Sequence, residues 1–143
     1  MENENNKILE YDAPWGKEQI RLWISHYIQG EHLYIGMESY EEEEGDWGPF
    51  GDLTVNEPFA ALSANEAYLT DWGTEYKIAF IEKHKLGKVV GGRINTIPGV
   101  RVAFDMERLR ELDPKGVDAY LKLHPEYEKE LKAIKRKKSQ MER

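Results

Sequence analysis

The chain has 143 residues, a formal net charge of −7, 33% charged and 40% hydrophobic side chains, and no cysteine. That length is one domain's worth. The missing cysteines exclude disulfides, zinc–thiolate centres, iron–sulfur clusters and thiol catalysis.

The opening MENENNKILEYD is acidic and polar, without the apolar core of a signal peptide. No run approaches the roughly 20 apolar residues that span a bilayer. A soluble, cytoplasmic protein with no membrane partner is expected. The charge is lopsided. Residues 1–57 hold 14 Asp/Glu against Lys7, Lys17 and Arg21, a balance of −11, and the remainder balances at +4. Such a chain can present a negative face and a positive end.

Residues 1–16 read as a frayed lead-in from which Ile8, Leu9, Tyr11 and Trp15 can dock on a core. Over residues 19–28, Ile20, Leu22 and Ile24 alternate with Arg21, Trp23, Ser25 and Tyr27, the period of a strand. Gln29-Gly30-Glu31 turns the chain and HLYIGME returns, which predicts a β-hairpin. Trp23 and Tyr27 imply that the second face is also partly covered. Residues 41–50, EEEEGDWGPF, read as a loop, because four successive carboxylates repel one another and Gly45, Gly48 and Pro49 punctuate the segment. Strand resumes over 51–55 and again over 66–70, with Asn56-Glu57-Pro58 breaking between them.

Residues 74–85 read as a helix, capped by Thr74 or by Asp71 upstream, with Glu75 at the positive end of the dipole. Tyr76, Ala79, Phe80 and Lys83 share one side, Ile78 and Ile81 widen the stripe, and Gly87 suits the left-handed C-terminal position. Residues 88–98 read as a loop around Gly91-Gly92, and 100–104 as a last strand. Asp105 caps a helix over MERLREL. Asp113-Pro114 opens the next helix, and His124-Pro125 opens a final one to about residue 143, striped by Tyr127, Leu131 and Ile134. The predicted class is α+β: a small antiparallel sheet of about four to five strands with an N-terminal hairpin, one packed helix and a C-terminal helical extension. The expected division is residues 1–104 and 105–143.

Reactive chemistry is missing from the pattern. GKVVGGR (87–93) follows a helix and has no Ser or Thr behind its lysine, so it reads as a helix cap and turn, not a P-loop. His26, His32, His84 and His124 lack metal-ligand spacing, although His26 and His32 can face each other across the hairpin. The acidic run lacks the alternation of an EF-hand loop. Ser25, Ser39, Ser63 and Ser139 sit in no nucleophile motif. No enzyme, metal or cofactor is expected.

Binding remains. Glu41, Glu42, Glu43, Glu44, Asp46 and Asp52, with Trp47 as an aromatic anchor, form the candidate surface for a protein partner. Dense carboxylates compete for the basic groove of a nucleic-acid-binding enzyme, and Trp is a hot-spot residue. The tail offers Lys132, Lys135, Arg136, Lys137 and Lys138 as candidate nucleic-acid contacts, without aromatics after Tyr127 for stacking on bases. The plainer alternative is a solvated helix end, with folding back on the acidic half as one option for it.

LTVN (53–56), NEAYLTDWG (65–73) and IEKHKLGKVVGGR (81–93) resemble a small domain-of-unknown-function family encoded mainly on conjugative elements and related mobile DNA of Firmicutes. That family shows a TLTVN strand, an NEAFIDTNN-like segment and a helix ending in GLGKPTGR. The likeness spans about 40 residues in mid-chain. Residues 60–65 sit away from the family's loop, Trp72-Gly73 replaces a polar pair, and the chain continues past Arg93 with further helices. The resemblance implies an accessory protein of a mobile element, with no reaction and no catalytic residues. The expected function is a non-enzymatic acidic binding protein, in its sharper form an inhibitor of a host defence enzyme of CRISPR or restriction type. The alternative is a nucleic-acid-binding accessory factor of element transfer or replication, acting through the basic C-terminal helix.

Overall fold

In a computed structural model, which describes residues 6–141, the chain forms two four-stranded antiparallel sheets and four helices, an α+β fold. Glu2 and Glu4 of the acidic half, and residues 142–143 of the expected last helix, lie outside the described residues. The first sheet is a meander of β1 (Leu9–Ala13), β2 (Gly16–His26), β3 (Leu33–Glu41) and β4 (Asp46–Asp52). The expected hairpin is β2–β3, with Ile24 opposite Ile35 and Trp23 opposite Gly36.

Two strands of this sheet fall where the sequence reads otherwise. The lead-in contains β1, whose Leu9, Tyr11 and Ala13 are buried while Glu10 and Asp12 face out. Five residues give too short an alternation to stand out, and pairing with β2 through a tight turn at Pro14-Trp15 supplies the order. Ile8 and Trp15 stay exposed. The expected loop 41–50 is a turn followed by β4, which pairs with β3 from Asp46 onward. An edge strand tolerates Pro49, and a register shift at Met37/Glu38 absorbs the irregular stretch.

The second sheet has the order β5-β6-β8-β7, from β5 (Thr54–Val55), β6 (Glu66–Leu69), β7 (Gly87–Gly91) and β8 (Arg101–Phe104). Here too an edge strand was illegible: β7 occupies the start of the expected 88–98 loop. Helix α1 (Thr74–Lys83) begins after Gly73, whose left-handed backbone gives no side-chain cap, while the Thr74 hydroxyl donates to Thr70 O at 3.0 Å. The left-handed residue after its end is Lys85, at φ 57°, because Gly87 is already strand. Its buried side is Thr74, Lys77, Phe80 and Ile81, so Lys77 is inside and Ala79 is exposed. Burial holds the Lys77 amine below the usual lysine range, against the pull of Asp71 and Asp52. The amine donates to Trp72 O at 2.6 Å and to the Thr70 hydroxyl.

Helices α2 (Met106–Leu112), α3 (Pro114–Lys122) and α4 (Pro125–Met141) start where their caps predict, with Asp105 accepting from Arg108 N at 3.1 Å. Leu109, Leu112, Val117, Tyr120 and Leu121 share one core with Ile20, Leu22, Ile24, Leu33 and Ile35 of the first sheet. Helix α4 buries no residue fully; Tyr127 and Leu131 rest on the core. Ile134 is 57% exposed, so the apolar stripe ends one turn earlier than its spacing predicts.

Asp113 ties this layer to the sheet. Its carboxylate is buried and accepts from Ile24 N at 2.8 Å and from Gly116 N at 3.1 Å, closing the first turn of α3. An unmade buried N–H costs about 1–3 kcal/mol, and a lost cap about 1 kcal/mol. Asp113→Ala is therefore predicted to destabilise the fold by about 3 kcal/mol in urea unfolding, with Asp113→Asn falling between it and the parent. A loss under about 1 kcal/mol would remove Asp113 from this role.

Burial also pushes the Tyr11 phenol from 10.0 up to about 12. The unfolded chain ionises near pH 10 and the folded chain only near 12, so in that window the folded state binds more protons and stability falls as pH rises. Tyr11→Phe is predicted to match the parent at pH 7 and to lose about 1–2 kcal/mol less stability between pH 10 and 12, read by denaturant unfolding at each pH.

Candidate functional site

The alternation that turns Ile20, Leu22 and Ile24 inward turns Arg21, Trp23 and Ser25 outward, and β3 presents Tyr34, Gly36, Glu38 and Tyr40 on the same side. The helices pack on the inner face, so the outer side chains cover one another. Arg21 donates to Glu38 through Nε at 3.1 Å and Nη2 at 2.8 Å, and its guanidinium lies 4.0 Å from the Trp47 ring centre. Tyr40 meets Trp47 edge-on at 5.5 Å, and Tyr27 meets Tyr34 likewise at 5.3 Å. The Tyr34 hydroxyl donates to Asp52 at 2.7 Å. Burial, reinforced by that carboxylate, raises the Tyr34 phenol well above its usual value and keeps it a donor.

Between these groups lies a groove of about 310 Å³ lined by Trp23, Tyr34, Gly36, Trp47, Pro49 and Asp52. Gly36 underlies it, directly opposite Trp23 on one side and Asp52 on the other. A methyl group there would run into the Tyr34 hydroxyl and ring, so only glycine lets that ring lie across β3. The Trp23 indole N–H is buried and has no acceptor among the described residues.

The acidic residues divide around this groove. Glu41 ends β3 and Glu42, Glu43 and Glu44 form the β3–β4 turn, closed by Gly45 N donating to Glu41 O at 2.8 Å. They and Asp46 are exposed, and no Lys or Arg pairs with them among the described residues. Glu10 and Asp12 differ: Lys83 and Lys17 bridge them and hold both carboxyls below their usual range. Trp47 is half-buried under Arg21 and forms part of the groove wall. Asp52 stands at the far end of β4 from the turn, on Tyr34.

Lys132, Lys135, Arg136, Lys137 and Lys138 are all exposed on α4. Among the described residues this helix pairs with Glu126 and Glu107, each at 4.0 Å, and not with the acidic half, so its end is solvated without folding back. Nor do three His, Asp or Glu side chains converge as a metal site among the described residues. Arg21, Trp23, Tyr34, Gly36 and Glu38 escape the sequence reading. Their one local signal is the outward row Arg21, Trp23, Ser25, Tyr27, which that reading takes as a covered face.

The family model for the domain of unknown function DUF4313 matches residues 21–123. The chain belongs to the DUF4313 family. The groove and the acidic turn lie inside the matched span, and α4 lies after it. The mid-chain resemblance to a domain-of-unknown-function family is thus borne out over a longer stretch than its motifs cover. No curated protein and no solved structure matches this DUF4313 chain.

Gly36→Ala is predicted to displace Tyr34 from Asp52 and to destabilise the fold by about 1–3 kcal/mol through overpacking. Urea unfolding reads the stability, and the Tyr34 ring signals in NMR read the displacement. An unchanged protein would show that Tyr34 does not need this glycine.

Proposed function

We propose that this chain is a non-enzymatic acidic binding protein of a mobile genetic element, and that it inhibits a host nucleic-acid-targeting defence enzyme of CRISPR or restriction type. The observation that carries this reading is the unneutralised turn from Glu41 to Asp46 beside an aromatic sheet face. Elsewhere Glu10, Asp12, Glu38, Glu107 and Glu111 have basic partners. A polyanionic tip competes with phosphates for a basic groove because both displace the same counterions. Tyr40 and Trp47 add the aromatic area that interface hot spots use. The mobile-element setting rests on the resemblance of residues 53–56, 65–73 and 81–93.

A second reading has one observation behind it, the exposed bases of α4. It makes the chain a nucleic-acid-binding accessory factor of element transfer or replication. Cleavage assays with purified CRISPR effectors and restriction endonucleases separate the two. Inhibition is expected to weaken steeply with salt and to fall about tenfold or more when Glu41, Glu42, Glu43 and Glu44 are all changed to Gln. Inhibition indifferent to those changes, or none across the panel, overturns the first reading. Tight DNA binding that is steeply salt-dependent and lost when Lys132, Lys135, Arg136, Lys137 and Lys138 are changed to Gln establishes the second.

A further inference from the structure

We infer that the groove over Gly36 receives a proline-containing segment of a partner protein, in extended polyproline II form and flanked by Lys or Arg. This rests on the binding role proposed above for the same face and names the chemistry of what binds there.

The shape supplies the first argument. Trp23, Trp47 and Pro49 give flat apolar walls, and the Tyr34 ring lies flat across Gly36 between them. Stacked aromatic walls of this kind grip proline rings, which arrive already fixed in conformation. The walls are fixed too, since Arg21 holds Trp47 and Asp52 holds Tyr34, so little order is lost on binding. About 310 Å³ takes a short stretch of chain and excludes a folded element.

Charge gives the second argument. The acids of the β3–β4 turn, unpaired among the described residues, lie at one end of β4 and Asp52 at the other, so a ligand along the groove meets carboxylates at both ends. Basic flanks fit that rim. A second copy of this chain, bringing its own acidic turn, meets like charge.

The probe is a set of synthetic peptides with about four prolines between lysines, titrated into the ¹⁵N-labelled full chain and followed at the indole N–H signals of its four tryptophans. Saturable shifts are expected at Trp23 and Trp47, while those of Trp15 and Trp72 stay in place. Replacing the prolines by Ala, or the lysines by Glu, is expected to weaken binding about tenfold. Trp23→Leu removes a flat wall of the groove and is expected to bind several-fold more weakly. Trp72→Ala, which is outside the groove, binds as the parent does. No shift at millimolar peptide, shifts at all four indoles, or equal binding of the Ala peptide overturns the assignment. If peptides fail while the four Glu→Gln changes still abolish nuclease inhibition, the groove assignment falls and the electrostatic reading stands. If peptides bind and no nuclease is inhibited, the reverse holds.

Discussion

Leu53 and Thr54 hold the two sheets as one body. Leu53 N donates to Ile35 O at 2.9 Å on β3, and Leu53 O accepts from Thr70 N at 3.2 Å just past β6. The Thr54 hydroxyl accepts from Ile35 N at 3.1 Å and meets the Tyr27 hydroxyl at 2.9 Å. Both residues are buried, so water cannot stand in for any of these bonds. The outer face inherits its order from this junction. Tyr27 is fixed by Thr54, Tyr34 packs on Tyr27, and Asp52, one residue before Leu53, is fixed by Tyr34.

Local signals made part of this fold legible. Asp105, Asp113-Pro114 and His124-Pro125 each mark a helix start by chemistry that acts within one turn, and the β2–β3 hairpin shows an uninterrupted period of two. The strands β1, β4 and β7 lacked such signals because each is an edge strand. Their extended form is imposed by one neighbour, and β4 and β7 carry Gly or Pro that local reading assigns to loops. Lys77 is the same lesson on a helix: its burial depends on Thr70 and Trp72, which no helical period reveals.

The candidate site divides along the same line. Its acids are visible in composition, since five of them fall within six residues of the turn. Its groove is not, because Trp23, Gly36 and Asp52 become neighbours only through the register of three strands. Register also places Trp47, the expected aromatic anchor, in the groove wall beneath Arg21. Charge can be counted along a chain; shape has to be assembled.

The β3–β4 turn is fastened to the molecule at its base alone. The side chains of Glu42, Glu43 and Glu44 have no hydrogen-bond or ion-pair partner among the described residues, and exposed positions of that kind accept substitution within about 0.5 kcal/mol. Single-codon changes there can redraw the molecule's electrical outline while Leu53, Thr54 and Asp113 keep the scaffold standing. The part of the surface most open to change is the part on which folding depends least.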